Sequence, residues 1–300
     1  MASSEPHLVV DAKNRIGEKP VWCDRSQKLW WIDIYGPAVL SLDPKTGKVE
    51  TFTLPGKTIG YLQLAAGGTD PSFVIAQEDG LFAWTPGGER RFLVSPEPRA
   101  PDMRLNDGVC DREGRLWVGS MYEAERKPDG SLWCVEPDGS VSRHAEGITI
   151  PNSLAVSSDG GTLYFTDTMA QVIWAYDCAK GKPSLTNRRV FVDVQGQPGR
   201  PDGATVDAEG FLWSAEFSGH RVVRYAPDGR VDHVVELPVR NVTCVGFGGP
   251  ALDRLYISTA SFGLDDAARA AQPLAGGLFM IEPGVRGLPE PRFAFNSGRA

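Results

Sequence analysis

An all-β fold, organised as a six-bladed β-propeller, is predicted by three observations on the sequence. Runs rich in Val, Ile, Phe, Tyr and Trp alternate with Gly, Asp and Pro turns along the chain, which is typical of short β-strands. An apolar pair that begins a strand recurs six times, at intervals of 44, 43, 47, 49 and 43 residues. Units of about 45 residues with four short strands suit a propeller, because closing the ring protects the sheet edges.

The six units follow one another without a break in composition. Their apolar pairs are, in order, Leu29-Trp30, Phe73-Val74, Leu116-Trp117, Leu163-Tyr164, Leu212-Trp213 and Leu255-Tyr256. Pro-Asp-Gly hairpins connect strands within the units, as in SLWCVEPDGSVSRH (131–144) and VVRYAPDGRVDHV (222–234). Helical periodicity is confined to LDDAARAAQ (264–272), where we expect a short surface helix. We therefore expect residues 1–300 to form one propeller domain.

The charge and hydropathy patterns exclude several classes of partner. A formal net charge of −7 and a pI near 5.2 argue against nucleic acid and against a membrane surface as partners. No run of about 18 apolar residues occurs, so no transmembrane helix is expected. The N-terminal MASSEPHLVV lacks the basic region and apolar stretch of a secretory signal. We expect a cytoplasmic protein.

The cysteines and histidines do not form a recognisable metal-binding motif. The five cysteines include no CxxC pair, and each lies in or beside an apolar stretch, which predicts buried free thiols. The four histidines are scattered, without an HxH or HExxH arrangement. A metal site in this chain would therefore be formed mainly by oxygen ligands.

One position of the repeat, ten to twelve residues before the apolar pair, is polar in every unit. It is occupied by Glu18, Gln63, Asn106, Asn152, Asp202 and Thr243. In a propeller the innermost strand of each blade lines the central channel, so we expect these side chains to converge at one mouth of the channel. Carboxylate, amide and water oxygens suit Ca²⁺, Mg²⁺ or Mn²⁺, although ligand type alone does not eliminate Zn²⁺ or Fe²⁺.

A simpler interpretation exists for each of these residues, since Asp, Asn and Gly at strand entrances usually satisfy turn backbones. Asp129, Asp138, Asp159 and Asp228 also precede a glycine, but they fall between strands within a unit, where ordinary turns are expected. Asp202 also precedes a glycine but occupies a different phase of the repeat. The recurrence of polar residues at that phase favours a binding site.

Five segments give the sequence a resemblance to the SMP-30/gluconolactonase/LRE family, the regucalcin-like six-bladed propellers. The matching segments, in family order, are GEKPVW (17–22), RLNDGVCDREGRLWVGSM (104–121), IPNSLAVSSDGGTLYFTDT (150–168), RPDGATVDAEGFLW (200–213) and CVGFGGPALDRLYISTA (244–260). The resemblance implies that one divalent metal ion has three protein ligands, which are Glu18, Asn152 and Asp202. It also implies a set of substrate-contacting residues, which are Arg104, Asn106 and Glu123.

The resemblance further implies hydrolysis of a sugar lactone to the aldonic acid. On this basis we expect one divalent ion (Ca, Mg, Mn, Zn or Fe(II)) to act as Lewis acid, and Asp202 to act as proton shuttle as well as ligand. A non-catalytic calcium-binding regulatory propeller remains an alternative, but it would have little use for Arg104 and Asn106. A metal-dependent esterase or phosphotriesterase on the same scaffold is a second alternative. No GxSxG motif is present and no histidine falls at the site phase, which argues against a serine nucleophile.

Overall fold

The computed structural model describes residues 5–67, 71–98 and 102–295. Within these ranges the chain forms 24 strands and one helix. The strands are β1 (His7–Val10), β2 (Gly17–Cys23), β3 (Lys28–Asp33), β4 (Ala38–Asp43), β5 (Lys48–Thr53), β6 (Ile59–Leu64), β7 (Phe73–Gln77), β8 (Gly80–Trp84), β9 (Arg91–Val94), β10 (Met103–Cys110), β11 (Leu116–Tyr122), β12 (Gly130–Val135), β13 (Val141–Ile148), β14 (Pro151–Val156), β15 (Thr162–Asp167), β16 (Val172–Cys178), β17 (Leu185–Asp193), β18 (Arg200–Val206), β19 (Leu212–Phe217), β20 (Arg221–Tyr225), β21 (Val231–Glu236), β22 (Asn241–Gly248), β23 (Arg254–Ala260) and β24 (Leu278–Ile281).

These strands form six antiparallel four-stranded sheets, which confirms the predicted six-bladed propeller. Blades 1 to 5 are the consecutive groups β2–β5, β6–β9, β10–β13, β14–β17 and β18–β21. Blade 6 combines β22, β23 and β24 with the N-terminal strand β1, in which His7 pairs with Met280. The innermost strands β2, β6, β10, β14, β18 and β22 contact one another in succession, and β22 contacts β2. The ring is therefore closed by a sheet that joins the two ends of the chain.

Aspartates at a second repeated position hold the turns that follow the innermost strands. Asp111 accepts hydrogen bonds from two backbone amides and from the indole of Trp117 at 2.9 Å. Asp207 makes the equivalent bonds, including one of 2.9 Å from Trp213. Both indoles are fully buried between blades, so these aspartates satisfy the polar end of a large core side chain.

The remaining predictions about the fold concern the cysteines and the helix. All five cysteines are buried and free, as predicted. The helix α1 (Asp266–Ala271) lies within the expected segment, and its N-cap residue is Asp265, whose carboxylate accepts the backbone N–H of Ala268 at 2.8 Å. In the part of the chain that the structure describes, no helix is long and apolar enough to cross a membrane.

The C-terminal segment, residues 283–295, crosses the ends of the innermost strands. Gly287 bridges to Asp207 of blade 5, and Phe293 bridges to Ala65 of blade 2. Phe293 is fully buried, and Pro291 accepts a hydrogen bond of 2.6 Å from Gln63. This segment covers the end of the channel at which the innermost strands finish.

Candidate active site

A cavity of about 700 Å³ opens at the other end of the channel, where the innermost strands begin. The six residues that the family resemblance implied as metal ligands or substrate contacts all line it, namely Glu18, Arg104, Asn106, Glu123, Asn152 and Asp202. The volume is within the range of roughly 300–1,000 Å³ that is usual for small-molecule sites. The structure therefore brings residues from blades 1, 3, 4 and 5 to one place.

β-bulges set the direction of these side chains. The register of β2 against β3 shifts directly after Glu18, and that of β14 against β15 shifts directly after Asn152. Asn106 and Asp202 lie within the equivalent bulges of β10 and β18. A bulge adds a residue to one strand and re-aims the local side chains. The same irregularity in four blades directs four polar groups toward the channel mouth.

In blades 1 and 4, an aspartate at the end of the second strand holds the loop that leads into the innermost strand. Asp33 accepts hydrogen bonds of 2.9 and 3.0 Å from the backbone amides of Arg15 and Ile16, which lie just before β2. Asp167 accepts hydrogen bonds of 2.8 and 3.0 Å from two amides that precede Asn152. Because these bonds tie each entry loop to its own blade, the position of the following site residue is set by the backbone.

A chain of hydrogen bonds orients the two amide side chains. Asn106 Nδ2 donates to Asn152 Oδ1 at 2.9 Å, and Asn152 Nδ2 donates to Thr168 Oγ1 at 2.8 Å. The Thr168 hydroxyl in turn donates to the Pro201 carbonyl at 2.9 Å. Asn152 Oδ1 is thereby fixed as an acceptor that uses one of its two lone pairs, so the other is available to a ligand.

An ion pair forms the wall of the cavity beside these amides. Arg104 Nε donates to Glu123 Oε2, and Arg104 Nη1 donates to Asn106 Oδ1 at 2.5 Å. The hydroxyl of Tyr35 donates to the second oxygen of Glu123 at 2.8 Å. The side chain of Arg104 is only 5% exposed, against 32% for Glu123. A buried cation and a partly exposed carboxylate thus present donors and acceptors to the cavity together.

Glu18 and Asp202 line the cavity, and a third buried carboxyl group, that of Asp107, lies close enough for its charge to act on both. Burial, followed by the charge of Asp107, raises the pKa of Glu18 to about 8. Burial, followed by the charges of Glu18 and Asp107, raises the pKa of Asp202 well above its ordinary value. Burial also raises the pKa of Asp107 to about 6, against the opposing charge of Lys19. If all three carboxyl groups were ionised, their negative charge would exceed the positive charge of Lys19, and the raised pKa values of Glu18 and Asp202 reflect the cost of that ionisation.

The donor set fits a divalent cation. A charge of +2 would balance the excess negative charge and favour the ionised form of Glu18 and Asp202. Hard cations such as Ca²⁺, Mg²⁺ and Mn²⁺ accept carboxylate and amide oxygens, and Asn152 Oδ1 is already oriented as an acceptor. No group of three or more His, Cys, Asp or Glu side chains suited to a metal occurs among the described residues. A three-ligand protein site in this cavity therefore includes an amide.

The raised pKa values predict how the stability of the metal-free protein depends on pH. Free carboxyl groups titrate near pH 4, so the unfolded chain releases these protons at lower pH than the folded protein does. The free energy of unfolding should therefore fall as the pH rises from about 4 to about 8, by roughly 1 kcal/mol for each unit of pKa elevation. Thermal denaturation of chelator-treated protein at several pH values measures this effect.

Glu18→Gln provides the comparison for that measurement. The variant removes a carboxyl group whose pKa is raised to about 8, so its stability should change less between pH 5 and pH 8. A saturating divalent cation should reduce the slope in the unmodified protein as well. Identical slopes in the variant and the unmodified protein would show that Glu18 is not a source of the pH dependence.

Two members of the predicted polar ring do not reach the cavity. The expectation for Gln63 is wrong, because its side chain accepts a hydrogen bond from Tyr61 and donates to Pro291 at the covered end of the channel. The turn between β6 and β7 is three residues longer than in most blades, so Gly60 lies in the bulge of this strand. Thr243 lies in the bulge of β22, but it is fully buried and donates to the Gly17 carbonyl at 2.5 Å.

The structure also places two buried charged residues next to the site that the sequence reasoning missed. Asp107 follows Asn106 directly and accepts the backbone amides of Gly108 and Leu154 at 2.7 and 3.1 Å. Lys19 follows Glu18 with a φ of +49°, and its ammonium donates to the Gly108 carbonyl at 3.2 Å. Both side chains belong to the bulges. The signal in the sequence was their adjacency to two predicted site residues, in LNDG and GEKP.

The family model described as SMP-30/Gluconolactonase/LRE-like region matches residues 16–261. The chain belongs to this family. The resemblance stated from the sequence is therefore confirmed, and the match extends over the strands that line the cavity, from β2 to β23.

Similar proteins of this family carry lactonase and regucalcin names. The chain is 34% identical to a 6-deoxy-6-sulfogluconolactonase of Pseudomonas putida over 287 residues, which cover 95% of this chain and 97% of that protein. It is 35% identical to a regucalcin of Xenopus laevis over 305 residues, covering 98% and 100%. A crystal structure of a calcium-binding protein, regucalcin, from Agrobacterium tumefaciens superposes with a TM-score of 0.90 at 32% identity, covering 95% and 96%. The predicted class of carboxylic-ester hydrolase agrees with the lactonase relatives.

Proposed function

We propose that the protein hydrolyses a sugar lactone to the aldonic acid in a reaction that depends on a divalent metal ion. The observation that carries this proposal is that one cavity joins the oxygen donors Glu18, Asn152 and Asp202 to a wall of hydrogen-bonding side chains. Relatives named as lactonases, acting on a sulfogluconolactone, a pentonolactone and an arabinolactone, support the substrate class.

Glu18, Asn152 and Asp202 are the residues that would hold the metal ion. Three protein ligands leave positions for water and substrate, as in catalytic rather than purely structural sites. When bound, a divalent cation supplies Lewis-acid stabilisation of the negative charge that develops on the lactone carbonyl oxygen during attack. The choice among Ca²⁺, Mg²⁺, Mn²⁺, Zn²⁺ and Fe²⁺ is an outcome of the assay described below.

Arg104, Asn106 and Glu123 orient the substrate. The guanidinium of Arg104 is held by Glu123 on one side and Asn106 on the other, so it needs little reorganisation when a ligand binds. Glu123 presents a partly exposed carboxylate that can accept hydrogen bonds from sugar hydroxyls. Holding a lactone in one orientation lowers the barrier, since the entropy of positioning is lost on binding.

Asp202 transfers the proton. The oxygen of a water molecule bonds to the carbonyl carbon and gives its proton to the Asp202 carboxylate. The bond from that carbon to the ring oxygen then breaks, and the ring oxygen takes the proton from Asp202. Asp202 lines the same cavity as the other two proposed ligands, so its carboxylate lies beside the position that the lactone carbonyl would take and can accept a proton there.

The two alternative functions make different demands on this cavity. A calcium-binding regulatory propeller, which the regucalcin relatives make worth testing, would need the oxygen donors but not the pair of Arg104 and Glu123. An aryl esterase or phosphotriesterase would need fewer hydrogen-bonding groups than the wall provides. Amides and hydroxyls of Thr168, Gln171 and Asn241 add to that wall. The polar lining favours a polyhydroxylated substrate.

A panel of aldonolactones, with chelated protein reconstituted by one divalent ion at a time, tests the proposal. We expect no hydrolysis above the uncatalysed rate after chelation, and recovery with at least one ion. Aryl acetates and a phosphotriester in parallel should be turned over at least about 100-fold less efficiently, because they lack hydroxyls for the wall to bind. Metal binding without hydrolysis of any lactone would instead support the calcium-binding alternative.

A further inference from the structure

The strand that carries Asp202 also places an arginine in the cavity wall. Arg200 begins β18, two residues before Asp202, and lines the same cavity. Its side chain is partly buried, and its Nη1 contacts the sulfur of Met169 at 3.4 Å. A thioether is a weak acceptor. Among the described residues, no carboxylate pairs with this guanidinium.

Blade 3 has an arginine at the equivalent position, and that arginine does have a carboxylate partner. Arg104 also lies two residues before a site residue, and it pairs across the sheet with Met121 just as Arg200 pairs with Phe217. Two residues beyond Met121 stands Glu123, the carboxylate that binds Arg104. Two residues beyond Phe217 stands a glycine. Blade 5 thus keeps the arginine of blade 3 and omits its anionic partner.

In the described part of the chain, unpaired positive charge is also present elsewhere on the rim of the cavity. Arg240 precedes the innermost strand of the neighbouring blade 6 and lines the cavity as an exposed side chain. The structure gives its guanidinium no carboxylate partner among the residues that it describes. Glu125, a rim carboxylate, is bound to Lys127 at 2.7 Å. The chain as a whole carries a net charge of −7, so a cationic rim runs against the overall composition.

We propose that Arg200, together with Arg240, forms a subsite for an anionic substituent of the substrate. This inference rests on the proposed lactonase function and specifies its substrate class, the lactone of a sugar that carries a carboxylate, phosphate or sulfonate group. A guanidinium binds such oxyanions through two parallel hydrogen bonds. A partly buried charge without a partner is unfavourable, and an anionic ligand would remove that cost.

The position of Arg200 determines where on the substrate an anionic group would be bound. Two residues along a strand span about 7 Å, so Arg200 lies nearer the rim than Asp202 does. With the lactone carbonyl at Asp202, the anionic group is at the far end of the carbon chain. An arginine at this distance binds the substrate and does not take part in proton transfer.

Arg200→Gln tests the subsite. The substrates are D-glucono-1,5-lactone and three lactones that carry a carboxylate, a phosphate or a sulfonate at carbon 6. We expect the unmodified protein to prefer at least one anionic lactone over the neutral one by 10-fold or more. The variant should lose roughly 10- to 100-fold in kcat/KM for that lactone, mainly through KM, and less than about 3-fold for the neutral lactone. Arg230→Gln, in an exposed turn, is the matched control and should change neither value.

Binding of the hydrolysis products gives a second readout that does not require catalysis. Calorimetry should show that 6-phosphogluconate binds more tightly than gluconate, and that Arg200→Gln removes most of the difference. Equal use of neutral and anionic lactones, with equal binding of the two products, would overturn the inference and leave the lactonase function intact. If no lactone is hydrolysed, the proposed function fails, and the product-binding comparison still decides whether the anion subsite exists.

Discussion

Asp202→Asn should lower kcat/KM for lactone hydrolysis by about 10³-fold or more, a loss of ~4 kcal/mol in transition-state stabilisation. The substitution preserves the shape of the side chain but removes both the charge that would hold a divalent cation and the oxygen that would accept a proton. Steady-state kinetics on the preferred lactone, at saturating metal, measure the loss.

The same variant should show a characteristic pattern of stability. Asp202 is one of three buried carboxyl groups, and burial, followed by the charges of Glu18 and Asp107, raises its pKa. At neutral pH the metal-free protein must therefore bind a proton at Asp202 when it folds, whereas an asparagine is neutral without one, so the Tm of the metal-free variant should equal or exceed that of the unmodified protein. The increase in Tm that a saturating cation produces should be lost, because the stabilisation follows from binding to the folded state.

Asp228→Asn is the matched control for Asp202→Asn. Asp228 also precedes a glycine, but it lies in an exposed turn, where it pairs with Arg230 at 2.7 Å. Its substitution should change activity less than 2-fold and stability by no more than about 0.5 kcal/mol. An Asp202→Asn variant with full activity and an unchanged metal-induced increase in Tm would contradict both proposed roles of Asp202.

Gly60→Ala should destabilise the protein by about 3 kcal/mol and reduce activity as well. A Cβ atom at this position would lie 2.0 Å from the backbone oxygen of Leu105 and 3.0 Å from Cα of Asn106. The methyl group could be accommodated only if β6 and β10 moved apart. That movement would displace the strand that carries Arg104 and Asn106. Thermal or denaturant unfolding, together with kcat/KM, measures both effects.

Gly161→Ala is the comparison for this second variant. Gly161 lies in the turn between β14 and β15, where the atoms nearest to an added Cβ would be the side-chain oxygens of Asp159, at 3.3 and 3.4 Å. That side chain is exposed and needs to shift by only a few tenths of an ångström, so the cost should stay within about 0.5 kcal/mol. If Gly60→Ala were as stable as Gly161→Ala, the close packing of the innermost strands would not limit side-chain size at the channel wall.

The repeat in the sequence was sufficient to predict the fold. Strand-forming segments and turn residues are local properties, and their regular spacing implied six equivalent sheets, which the structure confirms. The use of the N-terminal strand to complete blade 6 was not predicted, because pairing between β1 and β24 joins residues about 270 positions apart. Neither strand carries a local signal for such a distant partner.

The candidate site was predicted where the spacing of the repeat held. Glu18, Asn106, Asn152 and Asp202 occupy one phase of the sequence repeat, and the structure brings all four to one cavity. The same count gave Gln63 in blade 2, where a longer turn shifts the phase by three residues and places Gly60 in the bulge. Counting residues from a strand to a site fails whenever the length of the intervening turn changes.

The sequence by itself determined the propeller, the phase of the polar residues and the oxygen-rich character of the candidate metal site. Only the tertiary structure decided which charges meet. The burial of Asp107 and Lys19 beside Glu18 depends on bulges that reverse the usual alternation of side chains along a strand. The pairing of Arg104 with Glu123, and the absence of such a partner for Arg200 among the described residues, depend on register between strands. Register and bulges arise from packing across the ring, and a linear pattern of residue types does not record them.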